Sequence, residues 1–252
     1  MKYLGLELQR PKVGVFDFTG CEGCQLQLAN REESLVDFLQ ALELVNFREL
    51  ASDASSDYDI AFIDGAITRA DEEERLNLIR ARAVKLVALG SCACFGGVSR
   101  LKNALDQDET NRLVYGEMPQ HSLPTRAIKE VVDVDLEIPG CPVNKEEVER
   151  IVQHLIWDVP YNPPVYPVCV DCKQRFTVCV FQLGQLCLGP ITRGGCNAPC
   201  PAGGLGCWGC RGPAADPNYG EFFNIAKLHG YDNDEVVERL SFFGGFESVA
   251  CE

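Results

Sequence analysis

The distribution of cysteine constrains this chain more than any other feature. Five of the 14 cysteines are spread over the first 141 residues (Cys21, Cys24, Cys92, Cys94, Cys141), eight crowd into the 42 residues from Cys169 to Cys210, and Cys251 stands alone near the end. The opening segment, Met1 to Pro11, is short and mixed, with neither an apolar signal region nor a twin-arginine pair. No apolar run approaches the ~18–20 residues that a membrane span needs. The expected compartment is the cytoplasm, where disulfides are disfavoured and a cysteine-rich chain is expected to bind metal. A secreted disulfide scaffold is opposed by the missing signal, the length of 252 residues and the helix–strand alternation described next. The net charge of -14 argues against nucleic acid, which calls for a basic face. It fits a soluble surface, or docking to a basic partner.

The first part of the chain reads as α/β. Lys12 to Phe18 is a β-rich apolar run, Leu44 to Phe47 a short second strand, and Asp59 to Ile63 a third. Val84 to Leu89 and Val134 to Ile138 follow as fourth and fifth. Helices are expected over Asn30–Leu42 (with Leu35, Phe38, Leu39 and Leu42 on one side), Asp71–Ala81 (Leu76 and Ile79 inward), Pro124–Val132 and Lys145–Trp157. Strands alternating with helices imply a doubly wound parallel sheet, here of flavodoxin-like order, over residues 1–158. Residues 159–167 (VPYNPPVYP) hold four prolines in nine positions and are expected to form an extended linker. Residues 168–252 form an irregular cysteine-rich domain. Its first part, to residue 220, has too few apolar runs for a core of its own and is expected to need metal to fold.

The early cysteines follow strands. Cys21-Glu-Gly-Cys24 comes after the first, Gly90-Ser-Cys92 after the fourth and Pro139-Gly-Cys141-Pro142 after the fifth. In an open α/β sheet the carboxyl ends of parallel strands share one edge, where ligands bind. Cys21, Cys24, Cys92 and Cys141 are therefore expected to converge. Four thiols without histidine suit a [4Fe–4S] cluster or zinc. Gly20, Gly23, Gly90, Gly96, Gly97 and Gly140 would let backbone approach closely. Taken alone, the CxxC could be a redox dithiol or half of a zinc site, and the GSCACFGG loop could cradle phosphate. That loop lacks the P-loop lysine and the GxGxxG spacing.

The late cysteines form two sets, Cys169-x2-Cys172-x6-Cys179-x7-Cys187 and Cys196-x3-Cys200-x6-Cys207-x2-Cys210. Two clusters and two zinc ribbons both fit this segment. Cys94 lies two residues from Cys92 and in a β-like path points away, as a structural thiol. Cys251 is expected to be free, and His121, His154 and His229 to be surface or packing residues. Glu22, between two candidate ligands, is read as solvated or interfacial.

The motifs CEGCQLQL, GSCACFGG and PGCP, in that order, resemble the small subunit of [NiFe] hydrogenases from about residue 12 to about residue 215. The tail that begins VCVDC and ends GCWGCRG resembles the delta subunit of cytoplasmic, NAD(P)-linked sulfhydrogenases. The resemblance implies a proximal [4Fe–4S] cluster on Cys21, Cys24, Cys92 and Cys141, facing a nickel–iron site in a separate large subunit. It implies a distal [4Fe–4S] cluster on Cys169, Cys172, Cys179 and Cys187, with Cys169 where many relatives have histidine. It implies a medial cluster on Cys196, Cys200, Cys207 and Cys210. Many relatives have proline at position 200 and a three-iron centre; Cys200 implies [4Fe–4S] and a lower potential. Oxygen-tolerant relatives carry extra cysteines at the positions of Gly23 and Gly97, so an oxygen-sensitive proximal site is implied. The related complex I subunit has adjacent cysteines in the first motif and no cysteine-rich tail. The implied role is electron relay to a flavin- and iron–sulfur-containing reductase subunit. A hydrogenase coupled to heterodisulfide reductase and a zinc-stabilised scaffold without redox function are the alternatives.

Overall fold

The computed structural model describes residues 10–30, 40–50, 55–118 and 121–246, together with the backbone of a small antiparallel ribbon, Lys2–Tyr3 with Leu6–Glu7. Five strands form one parallel sheet: β1 (Lys12–Asp17), β2 (Glu43–Asn46), β3 (Ile60–Asp64), β4 (Lys85–Leu89) and β5 (Leu136–Ile138). Their order is β2-β1-β3-β4-β5, the flavodoxin-like order expected. Each strand lies within a residue or two of the segment read from sequence, because these runs are apolar and nearly continuous. All five residues of β3 are buried, as a central parallel strand requires.

Alternation along the strands supplies two cores. Val13, Val15, Ile60, Phe62, Val87 and Leu89 face one side. There they pack against α1 (Gly23–Ala29) through Leu28 and against α5 (Lys145–Ile156) through Val148, Ile151 and Val152. Phe16, Ala61, Ile63, Leu86 and Ala88 face the other side and meet Leu76 and Ile79 of α2 (Ala70–Arg82). Asn144 caps α5, its side chain accepting from the Glu147 amide at 2.9 Å. Helices on both faces make the sheet doubly wound.

Register matters most for the site. Asp17 pairs with Asp64, Asp64 with Leu89, and Leu89 with Ile138. Strands β1, β3, β4 and β5 therefore all end at one level of the same sheet edge.

Three expectations need correction. Residues 124–132 do not form an α-helix; only Ile128–Glu130 makes a short 3-10 turn. The amides there have other partners: Thr125 N–H donates to Asn103 Oδ1 at 2.7 Å and Arg126 N–H to the Ile67 carbonyl at 2.9 Å. The GSCACFGG segment is not a loop throughout, since Gly90–Phe95 forms the short helix α3 directly after β4. After α4 (Gln107–Tyr115) and the helices of the cysteine-rich segment, α6 (Val168–Gln174) and α7 (Pro199–Ala202), the chain ends its described part in α8 (Tyr219–Leu228) and α9 (Asn233–Ser241). These last two complete a third core, in which Phe222, Val236, Leu240 and Phe246 pack with Val168, Phe181, Leu188 and Ile191. The cysteine-rich segment thus has apolar support from residues beyond 220. The helix expected over Asn30–Leu42 falls mostly on residues 31–39, outside the described residues. Among the described residues no helix is long and apolar enough to cross a membrane.

Candidate metal centres

The common level of the strand ends brings the first four thiols together. Cys21 lies past β1 and Cys24 in the first turn of α1, Cys92 is in α3 just past β4, and Cys141 lies just past β5. Each lies within electrostatic reach of others in the set: Cys24 of Cys92 and Cys141, and Cys92 of Cys141 and Cys21. Burial, then neighbouring charge, pushes the Cys92 thiol up to about 12 and raises Cys24 and Cys141 as well. Buried thiols of this kind stay protonated until a bound cation stabilises the thiolates. Two glycines make the close approach possible. A Cβ on Gly90 would sit 2.4 Å from Cys24 Sγ and one on Gly97 2.6 Å from Cys92 Sγ, and both residues have positive φ.

The second set gathers on one side of the tail. Cys169 and Cys172 stand three residues apart on α6, Cys179 opens the 3-10 turn Val180–Leu183, and Cys187 is buried behind it. All four line one cavity with Phe181 and Gly189. Burial and the neighbouring thiols of Cys187, Cys172 and Cys179 push Cys169 up to about 12. Cys187 Sγ accepts from the Cys207 amide at 3.2 Å.

The third set lines a larger cavity of about 500 Å³ that reaches Cys141. Cys196, Cys200, Cys207 and Cys210 all border it, beside Trp208 and Arg211. Burial raises Cys207 well above its ordinary value and Cys210 to about 12, the nearby Cys141 backbone partly offsetting the second shift. Among the described residues no three Cys, His, Asp or Glu side chains converge on a point that would hold a single metal ion. The last two sets border cavities.

Sequence reasoning missed several residues here. Asp64, at the end of β3, is buried beside Cys24, and burial pushes its carboxyl up to about 6 against the opposing amides of Gln25 and Gly65. Its Oδ2 and Gln25 Nε2 are buried without a hydrogen-bond partner. Asp171 is buried on α6 and accepts from the amides of Gly195 at 2.7 Å and Asn197 at 3.0 Å, which ties α6 to the Cys196 loop. Arg211 and Glu147 form a fully buried ion pair. The sequence signal for Asp171 and Arg211 is a charge one or two positions from a cysteine, for Glu147 a place on the inner face of a helix, and for Asp64 a carboxylate closing an otherwise apolar strand.

The residues left aside fall away from the thiol groups. Cys94 is buried and its thiol donates to the Ala88 carbonyl at 3.6 Å. It points away from Cys92 because two helical steps turn about 200°, not because the path is β-like. His154 packs on Tyr161, His229 stacks on Phe181, and His121 is exposed. Glu22 is half-buried in the left-handed region at φ 61°. Cys251 lies outside the described residues.

Comparison with known proteins agrees with this geometry. Residues 21–155 match the family described as NADH ubiquinone oxidoreductase, 20 Kd subunit. That match covers four of the five strands, β2 to β5, and stops before the cysteine-rich tail. Sulfhydrogenase 2 subunit delta of Pyrococcus furiosus is 37% identical over 236 residues, covering 92% of this chain and 98% of its own length. A subunit of the F420-non-reducing hydrogenase of Methanothermobacter marburgensis is 28% identical over 91% of this chain and 88% of its own length. Among solved structures, a chain of an NAD+-reducing [NiFe]-hydrogenase superposes with a TM-score of 0.56 at 23% identity, covering 62% of this chain and 96% of that one. A chain of the Dm. baculatum [NiFeSe]-hydrogenase superposes with a TM-score of 0.58 at 14% identity, over 94% of this chain and 99% of that one. These last two speak to the fold alone. The chain belongs to the family of the 20 kDa NADH ubiquinone oxidoreductase subunit, and within it to the hydrogenase small subunits.

Proposed function

We propose that this chain is the electron-relay subunit of a cytoplasmic [NiFe] hydrogenase and holds three [4Fe–4S] clusters. Cys21, Cys24, Cys92 and Cys141 hold the proximal one, Cys196, Cys200, Cys207 and Cys210 the medial one, and Cys169, Cys172, Cys179 and Cys187 the distal one. The proximal site belongs to a sheet domain, residues 1–158, and the other two to the cysteine-rich domain, residues 168–252, with the proline-rich linker between. When bound, such clusters supply one-electron transfer at potentials set by charge, amide hydrogen bonds and burial.

The observation that carries this reading is the gathering of 12 of the 14 cysteines into three neighbouring sets of four. The donor set suits iron–sulfur: thiols only, with Cys187 already accepting a backbone N–H group. Gln25 Nε2, next in sequence to Cys24 and lacking an acceptor, is a donor that a sulfide would satisfy. Glycines pressed against Cys24, Cys92 and Cys187 leave room that side chains would fill. A cysteine at position 97 has no such room, which supports a plain four-thiolate, oxygen-sensitive proximal site.

In this reading the proximal thiols face the nickel–iron site of a large subunit, and the distal thiols face a flavin- and iron–sulfur-containing reductase linked to NAD(P). Anaerobic purification from the native host tests the partners. A nickel-containing large subunit and a flavin- and NAD(P)-binding reductase are expected to co-purify. Heterodisulfide reductase subunits in place of the latter would move the acceptor assignment. A chain that purifies alone with zinc would overturn the relay.

A further inference from the structure

The three thiol sets meet at two junctions. Cys141 borders the cavity of the Cys196–Cys210 set, and Cys207 N–H donates to Cys187 Sγ at 3.2 Å. The Cys196–Cys210 set therefore lies between the other two. The first junction carries a feature the second lacks. Arg211 is 1% exposed and heads the largest fully buried side chains of the described residues. Its Nε donates to the Gly194 carbonyl at 2.9 Å and its Nη1 to the Pro139 carbonyl at 2.8 Å. Nη1 and Nη2 clasp Glu147 of α5 at 2.6 and 2.8 Å.

Those partners are placed tellingly. Pro139 precedes Cys141 by two residues, Gly194 precedes Cys196 by two, and Arg211 itself follows Cys210. One guanidinium thus ties the backbone around three thiols drawn from two sets. Ser91, buried beside Cys92, adds a second tie by donating its hydroxyl to the Cys210 carbonyl. Glu147 is held in turn by the Tyr161 hydroxyl at 3.1 Å. A buried ion pair seldom stabilises a fold more than apolar residues of similar volume, so its presence here points to geometry and field rather than to stability. The two charges are not equivalent. Arg211 adjoins Cys210 in the chain and holds the Gly194 carbonyl, whereas the Glu147 carboxylate meets this set through the guanidinium.

We propose that Arg211 and Glu147 are a positioning pair that fixes the junction between the Cys21–Cys141 and Cys196–Cys210 sets and biases the reduction potential of the latter. This rests on the cluster reading above. Adding one electron to the Cys196–Cys210 site makes it one charge more negative, with no change of ligand or proton. The electron comes from hydrogen oxidised in the large subunit and leaves towards the acceptor. The Arg211 cation stabilises the reduced form and raises the potential, and Glu147 offsets that effect.

The test is an EPR-monitored redox titration of the intact hydrogenase complex, comparing the parent with Glu147→Gln and Arg211→Met. Glu147→Gln keeps the shape and one acceptor oxygen while removing the charge that offsets the cation, and is expected to raise the medial potential. Arg211→Met is expected to lower it. A tenfold change in the reduction equilibrium, about 59 mV for one electron, is the expected size, with the potentials of the other two sites moving less. Arg211→Lys keeps the charge and should restore most of the shift. A purely structural role would move both variants in one direction or neither. That result, with all clusters retained, overturns the proposal. If Arg211→Met does not assemble, the sign for Glu147→Gln decides: upward supports the pair, none or downward overturns it. Absence of iron–sulfur signals from the parent complex would instead sink the cluster reading itself.

Discussion

The two halves of the molecule hold thiols in opposite ways. In the sheet half, the strands and the helices packed on them form two cores built almost wholly of aliphatic and aromatic residues, joined by Cys24 and Cys94 alone among the cysteines, and the candidate ligands gather at the carboxyl edge of the sheet. Val13, Phe62, Leu86 and Val87 are all at most 2% exposed. In the tail, eight cysteines occupy 42 residues that contain no strand, and several of them are themselves core residues: Cys172, Cys187 and Cys207 belong to the third apolar cluster. Part of the tail is also short of charge. The 44 residues from Cys172 to Ala215 contain no carboxylate, though the whole chain carries a net charge of -14. Lys173, Arg175, Arg193 and Arg211 are their only charged residues. Just before that stretch Asp171 is buried between Cys169 and Cys172, as Asp64 is buried beside the first set. The tail acid is held by the amides of Gly195 and Asn197, whereas Asp64 Oδ2 has no hydrogen-bond partner. The difference predicts that the sheet half folds without metal and that the tail orders only together with the metal its thiols would hold.

Removing the metal should separate the halves most sharply. Anaerobic chelation is expected to abolish amide exchange protection across residues 168–215 while leaving β1, β3 and β4 protected. Uniform loss, or uniform retention, would erase the contrast. A smaller effect should come from single glycines. A Cβ on Gly206 would lie 1.9 Å from the Leu186 carbonyl oxygen, at the junction of the second and third sets. Gly206→Ala is expected to cost about eight iron atoms per chain, two clusters of four, with the sheet still folded. Gly90→Ala, whose Cβ would press on Cys24 Sγ at φ +87°, should cost about four iron atoms, one cluster, and leave the tail loaded. Iron analysis of the two variants checks both numbers.

The smallest expected effect probes the sheet alone. Asp135 is partly desolvated, which raises its carboxyl, but the Leu86 amide and Arg80 outweigh this and hold it below its ordinary value. A depressed carboxylate contributes stability above its unfolded pKa of about 4 and loses it as the pH falls through the folded value. Asp135→Asn should therefore lower stability modestly at neutral pH and match the parent in strong acid. Thermal melts of the metal-free chain across that range check this, and the difference should not depend on metal.

Much of the sheet half was legible because its signals are local and apolar. Ile60–Asp64 is a buried run that only a central strand explains, and the strand ends placed Cys21, Cys24, Cys92 and Cys141 at one edge without knowledge of any relative. The Pro124–Val132 segment misled because its helical spacing lost to partners distant in sequence, Asn103 and Ile67. Gly90–Phe95 misled in the other direction: three glycines read as a loop, yet the chain turns at once into a helix that carries Cys92 inward. In the tail, spacing separated eight thiols into two sets but left iron and zinc equal, because both metals accept four thiolates. The Arg211–Glu147 pair was illegible for a different reason. Nothing local distinguishes a buried Glu in the first turn of α5 from the solvated Glu146 beside it, and only the fold brings residue 211 to residue 147.

The central claim is that these 12 thiols hold iron–sulfur clusters rather than single ions. Iron and zinc analysis of the anaerobically purified complex, joined to low-temperature EPR, tests it most directly. The expected result is about 12 iron atoms in this chain, three clusters of four, with signals from three interacting centres on reduction. About three zinc atoms with negligible iron and no EPR signal, one ion for each four-thiolate site, would contradict it.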